Sequence, residues 1–227
     1  MRSRKPPAER RAEILAASAR VALTEGLECI TLRRISEILG VRPSLVGHYF
    51  PAEDLVAETF GLVAEGELDG LIPPDSTEEP CSRMARFVIL ATSPECDDTN
   101  RLWVNARHLA RYRPALRDRV ITQGNHWRDR LSTLIQAGVD DGSFTTGDPE
   151  VTGLKILAVI DGLSADLNAD PGFPPAVLHM AIDVAELELG LAPGTLESAL
   201  PRESWQTYAD IRTELGWPIQ PQTRRVE

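Results

Sequence analysis

Apolar residues recur every three or four positions along most of the chain, and short clusters of Pro, Gly and Asp interrupt them. That pattern predicts an all-α protein. A first helix runs from Ala8 to Thr24, with Ala12, Leu15, Ala16, Ala19, Ala22 and Leu23 on one face. Glu9, Arg10, Glu13 and Arg20 take the other face, and Gly26 supplies a C-terminal stop. Thr31 can cap a second helix, striped by Leu32, Ile35, Ile38 and Leu39 and ended by Gly40. Pro43, whose missing N–H is not needed at a first helical position, opens a third helix to about Tyr49.

The third helix spends little on a core. Leu45 and Val46 are its aliphatics, so Arg42, Ser44, Gly47, His48 and Tyr49 are expected to face outward. Two helices joined by a tight Gly-containing turn and packed on a longer one describe a helix-turn-helix unit. Further helices are predicted at Ala52–Ile72, Pro80–Thr92, Asn100–Ala110, Ala115–Asp141, Pro149–Leu167 and Pro175–Leu189. The division follows: a helix-turn-helix head with its basic arm over 1–51, a helical body over 52–191, and an extension over 192–227.

Charge sharpens this division. The net charge of −10 argues against a nucleic-acid partner until its distribution is read. Residues 1–50 hold nine Lys/Arg against five Asp/Glu, while the rest of the chain holds fifteen against 29. A basic head on an acidic body is the asymmetry expected if the head alone meets phosphates. Arg2, Arg4 and Lys5 extend it as an arm. The N-terminus lacks the apolar stretch of a secretory signal, and no apolar run approaches the ~20 residues of a membrane span. Cys29, Cys81 and Cys96 are scattered and odd in number, which suits reduced thiols in the cytoplasm.

Enzyme motifs are absent. His48, His108, His126 and His179 form no HExxH, and there is no GxSxG, GxxxxGK[ST] or strand-borne GxGxxG. No catalytic residue, metal or cofactor is expected. A structural adaptor bundle would share the helical periodicity but leave the basic, core-poor third helix unexplained.

The segment ILAASARVALTEGLECITLRRISEILGV followed by RPSLVGHYF resembles the signature of TetR-family transcriptional regulators. Ile14-Leu15, Ala17, Gly26, Thr31, Ile35, Gly40-Val41 and His48-Tyr49-Phe50 carry it. The form GHYF leans toward the BetI-like branch, as do WRDRLSTLIQAGVDDGSF and DPEVTGLKILAVIDGL in the body. The resemblance implies a homodimeric repressor of double-stranded operator DNA, released by a small-molecule effector. It implies a DNA-facing set of Thr31, Arg33, Arg42, Pro43, Ser44, Gly47, His48 and Tyr49. Two departures stand out. Phe50 is followed by Pro51, Ala52, Glu53 and Asp54, where relatives carry a phosphate-binding Lys, and Arg42 replaces a capping Ser.

An effector site needs an apolar cavity with a few placed polar groups. Candidates are Trp103, Arg107, His126 and Asp161, the last interrupting the aliphatic run LKILAVIDGL. Leu154, Leu157, Ile160 and Leu163, facing Leu178, Ile182, Ala185 and Leu189, form long stripes that predict a four-helix dimer interface. In the extension, Trp205, Tyr208, Ile211 and Leu215 share one face of RESWQTYADIRTELG, which predicts a helix docked on the body.

Overall fold

The computed structural model describes residues 6–93, 96–169, 177, 179–200 and 204–217. The basic arm, Leu178 and residues 175–176 lie outside them, as does the side chain of Trp205. Among the described residues the elements are helical: α1 (Pro7–Thr24), α2 (Leu32–Leu39), α3 (Pro43–Tyr49), α4 (Ala52–Leu71), α5 (Pro80–Ala91) and α6 (Asp97–Leu109). They continue as α7 (Pro114–Asp140), α8 (Pro149–Ala169), α9 (Met180–Leu189), α10 (Thr195–Ala199) and α11 (Ser204–Glu214). No helix among them is long and apolar enough to cross a membrane.

The head owes its shape to local signals. The Thr31 hydroxyl accepts the Arg34 N–H at 3.0 Å, occupying one orphan donor of α2. Gly40, at φ +63, ends α2 in the left-handed conformation. On α1 the buried positions are Ile14, Ala17, Ser18, Ala19, Val21, Ala22 and Leu23. The expected stripe is therefore rotated: Ala12 is exposed and Leu15 and Ala16 are half-buried, because Ile14 and Val21 point to α4. On α2, Ile35 and Ser36 are buried while Ile38 is exposed, since the helix meets the core over one narrow edge.

The head's apolar cluster does not stop at residue 51. Ile14, Leu27, Ile35, Val46 and Phe50 pack with Leu55, Phe60 and Val63 of α4, Leu102 and Ala106 of α6, and Leu116 of α7. Arg11 clamps the end of α3 onto α1, its guanidinium 4.0 Å above the Phe50 ring and donating to the Tyr49 carbonyl at 3.3 Å.

A second cluster fills the body, built from α4, α5 and α7 to α9. Ile160, Leu163, Ile182, Ala185 and Leu189 lie in this core of the chain itself. Among the described residues, five of the expected stripe positions are thus core of their own chain. Leu154 is exposed and Leu157 half-buried, so only the outward edge of the two helices is open to a second subunit. On α8 and α9 the outward apolar positions are Val151, Leu154, Met180 and Leu187.

The turn after α7 is closed by Phe144, whose N–H donates to the Gly138 carbonyl at 2.8 Å while Gly142 takes φ +83. A Cβ on Gly138 would lie 2.1 Å from the Phe144 ring. Gly138→Ala is expected to cost about 2 kcal/mol or more, because neither ring nor helix can yield in a packed core. A urea melt checks it; an unshifted midpoint would mean that the turn re-forms elsewhere.

The extension docks on its own chain through its predicted apolar face, to which Trp217 is added. Tyr208 and Trp217 are buried, whereas Ile211 and Leu215 are only half-covered. α4 receives them at two glycines one turn apart. A Cβ on Gly66 would lie 2.9 Å from both Leu215 and Trp217, and one on Gly70 would lie 3.3 Å from Tyr208. Trp217 thereby joins the head's cluster and Tyr208 the body's. The short α10, which seats Leu196 against α5, was not expected from the sequence.

Candidate DNA-binding surface and effector cavity

The turn between α2 and α3 brings Arg42, Pro43, Ser44 and His48 to one exposed surface, with Val41 and Leu45 lining a shallow concavity there. Thr31 is exposed at the near end of α2. Its hydroxyl oxygen is used by the cap, while its proton stays available to a phosphate. Arg33 is open to solvent and pairs with Glu37 at 2.9 Å, a surface contact that an incoming phosphate can displace. Arg42 makes no side-chain cap, which leaves its guanidinium at the entrance of α3.

Gly47 and Tyr49 are placed differently from the outward expectation. Both are half-buried. A Cβ at Gly47 would come 3.3 Å from Leu32, so this glycine lets α3 approach α2. The Tyr49 ring packs on the head's cluster and meets His48 edge-on at 5.4 Å. At the start of α4, where the resemblance leads one to expect a Lys, Glu53 and Asp54 are exposed, favourable for the helix N-terminus but not for a phosphate. Arg113 lies 3.9 Å from the Glu53 carboxylate.

The body encloses a cavity of about 300 Å³ between α4, α5, α6, α7 and α8. Trp103, Arg107 and Asp161 line it as expected from the sequence, whereas His126 is exposed on the outer face of α7. Trp127, its neighbour, faces inward instead. Arg107 donates to the Asp161 carboxylate at 2.7 Å, and both side chains are 43% exposed, so the pair sits at the cavity's mouth. The Arg107 guanidinium also lies 5.2 Å from the Trp103 ring centre.

Deeper in, the sequence reading missed the decisive group. Glu67 of α4 is buried against the cavity and accepts the Trp103 indole N–H at 2.9 Å. Burial pushes its carboxyl up to about 7; bonds from Thr99 and Trp103 oppose that shift, nearby Asp98 adds to it, and Arg212 offsets it. Trp103 is held edge-on to Phe60 at 4.9 Å, and Trp127 lies 5.8 Å from Phe87. The Trp127 indole N–H is buried and has no hydrogen-bond partner among the described residues. Aromatic faces, a buried carboxylate and an unanswered N–H donor suit a small cation that also carries a hydrogen-bond acceptor. Among the described residues no group of three or more His, Cys, Asp or Glu is placed to hold a metal ion.

Residues 82–185 match the family model of the BetI-type transcriptional repressor C-terminal domain. No curated protein matches the chain in sequence. Among solved structures, a Rhodococcus sp. protein described as a TetR-family transcriptional regulator shares 20% identity over 80% of this chain and 99% of its own, at a TM-score of 0.69. A TetR transcription regulator from Haloarcula marismortui shares 24% over 81% and 97%, at 0.65. A Saccharomonospora viridis transcriptional regulator solved in complex with choline shares 20% over 79% and 95%, at 0.66. These likenesses establish the fold: a helix-turn-helix head on a helical C-terminal body.

The head and body together have the architecture of the transcriptional regulators they resemble. The likeness to the BetI-type branch is carried by residues 82–185, and the likeness to TetR-family regulators as a whole is one of fold.

Proposed function

We propose that the protein is a homodimeric repressor, acting in the cytoplasm, whose grip on operator DNA is released when a small organic cation enters the body cavity. Glu67 carries this reading. A carboxylate withdrawn from water beside indole rings is costly unless a cation joins it. The choline complex of the Saccharomonospora viridis regulator supports the same ligand class. Choline's quaternary nitrogen would neutralise Glu67, and its hydroxyl oxygen would accept from Trp127.

The route to the head is α4, which carries Glu67 and Leu71 at the cavity and Leu55 and Phe60 in the head's cluster. A ligand favouring one tilt of α4 resets the head, and in a dimer it changes the distance between two α3 helices. Two heads are proposed because one α3 spans few base pairs. Val151 and Leu154 of α8 with Met180 and Leu187 of α9 supply an outward apolar surface for the second subunit.

Gel shifts with DNA flanking the protein's own gene test the reading. A retarded band that choline disperses is expected. A band indifferent to choline and to other small quaternary ammonium ions would overturn the cationic effector; absence of any band at low salt would overturn the repressor. Within this reading Arg42→Ala is expected to cost about 1–3 kcal/mol at the operator and relax selectivity at one position. Equal weakening on all sequences, with a shallower salt dependence, would assign Arg42 to phosphate instead.

A further inference from the structure

The extension does more than cover apolar surface. Arg212 of α11 is 2% exposed and donates two hydrogen bonds to Asp98, itself 1% exposed, at the first turn of α6. Tyr208 and Trp217 flank the guanidinium, each ring 5.8 Å away, and the Cys96 thiol donates to the Tyr208 hydroxyl at 3.2 Å. Asp98 also accepts the Thr99 N–H at 2.8 Å. The Thr99 hydroxyl donates to the Cys96 carbonyl at 2.9 Å and lies beside the Glu67 carboxyl, whose ionised form it favours. A charged group of the last helix is thus wired, through two residues of α6, to the carboxyl that faces the cavity.

This chain of contacts has a definite sign. Asp98 is a neighbouring acid that opposes the ionisation of Glu67. Arg212 supplies the positive charge of that cluster, buried away from water, where charge interactions are strong. Without it, two buried carboxylates would face each other and the one at the cavity would take up a proton.

We propose that the C-terminal extension is a working part of the effector site, with Arg212 as the positioning residue that, through Asp98 and Thr99, keeps the Glu67 carboxylate ionised and aimed at the cavity. This rests on the reading of the cavity as a cation site. The groups around Glu67 are Asp98, Thr99 and Trp103 from α6, Cys96 just before it, and Tyr208 and Arg212 from α11. The charged side chains of Arg107 of α6, Arg128 of α7 and Asp161 of α8 line the same cavity. The glycine pair on α4 admits α11 close enough for the wiring to form.

The test follows the Glu67 carboxyl carbon by NMR in full-length protein, assigned with Glu67→Gln, alongside calorimetric titration with choline and its uncharged isostere 3,3-dimethyl-1-butanol. Arg212→Gln, which can still donate to Asp98, is expected to raise the Glu67 midpoint by about one pH unit. It should weaken choline binding about fivefold at pH 7 while leaving the isostere unchanged. Arg212→Lys should restore both. Simple loosening would hydrate Glu67 and lower its midpoint, so an unchanged or lowered midpoint in Arg212→Gln would overturn the proposal.

If Arg212→Gln does not fold, Asp98→Asn is the second variant. Removal of the neighbouring acid should lower the Glu67 midpoint and strengthen choline binding at pH 6; a lowered midpoint with weaker choline binding would overturn the proposal. Expected midpoints without choline binding in any variant would uphold the link from Arg212 to Glu67 and overturn the cationic effector.

Discussion

Glu67→Gln is expected to make the protein more stable above neutral pH and to abolish its response to a cationic effector. The carboxyl titrates near 4.5 when solvated and at about 7 in the folded chain, chiefly because it is buried. Between those two values the native chain holds a proton that the unfolded chain has released, so stability falls as pH rises through that window and stays low above it. The displacement corresponds to about 3 kcal/mol. Gln never ionises and keeps an oxygen to accept the Trp103 N–H. Urea unfolding at pH 5 and pH 8 should therefore show a gain concentrated at pH 8. Choline affinity of the parent should rise through pH 7, while that of the variant stays weak and flat. An equal gain at both pH values would mean that Glu67 stays protonated throughout and is no cation ligand.

Deleting residues 196–227 is expected to bring the protein close to unfolding. Leu196, Tyr208 and Trp217 leave the core, at about 1.5–3 kcal/mol each. Asp98 is left as a buried, unpaired acid, which costs about 3–5 kcal/mol. Together these approach the ~5–15 kcal/mol that holds a typical domain. At ~2–4 °C per kcal/mol for a chain this size, the melting temperature should drop by tens of degrees, and a hydrophobic dye should bind the bared glycine face of α4. A truncated protein that melts like the full chain would refute the docking of α11. Adding Asp98→Asn to the truncation should recover part of the loss, since the stranded charge is then gone.

The head was legible because its determinants are local. Thr31, Gly40 and Pro43 act within one helical turn of themselves, and α2 and α3 begin and end where those residues dictate. Periodicity also found every long helix, but it reports an apolar face without naming what covers it. Ile160 and Ile182 therefore read as interface residues when they are core. Glu67 lies in the run Glu65-Gly66-Glu67, which looks like solvated surface; the approach of Trp103, 36 positions away, turns it inward. Arg212 likewise follows its partner by 114 positions. One local signal did point there: Gly66 and Gly70, one turn apart in a helix, mark a face that another element approaches closely.

The apolar cluster beneath α2 and α3 bears on how such regulators can be recombined. Leu55, Phe60 and Val63, with Leu102, Leu116 and Trp217, are as much its floor as Ile14 or Val46. A chimera spliced at residue 51 would set a foreign roof on this floor, and its operator-reading half would inherit mismatched volumes where close packing tolerates little. Under the proposed function, exchange of operator specificity would belong on the outer skin of α3, at the exposed Arg42, Ser44 and His48, which can be rewritten without disturbing the join.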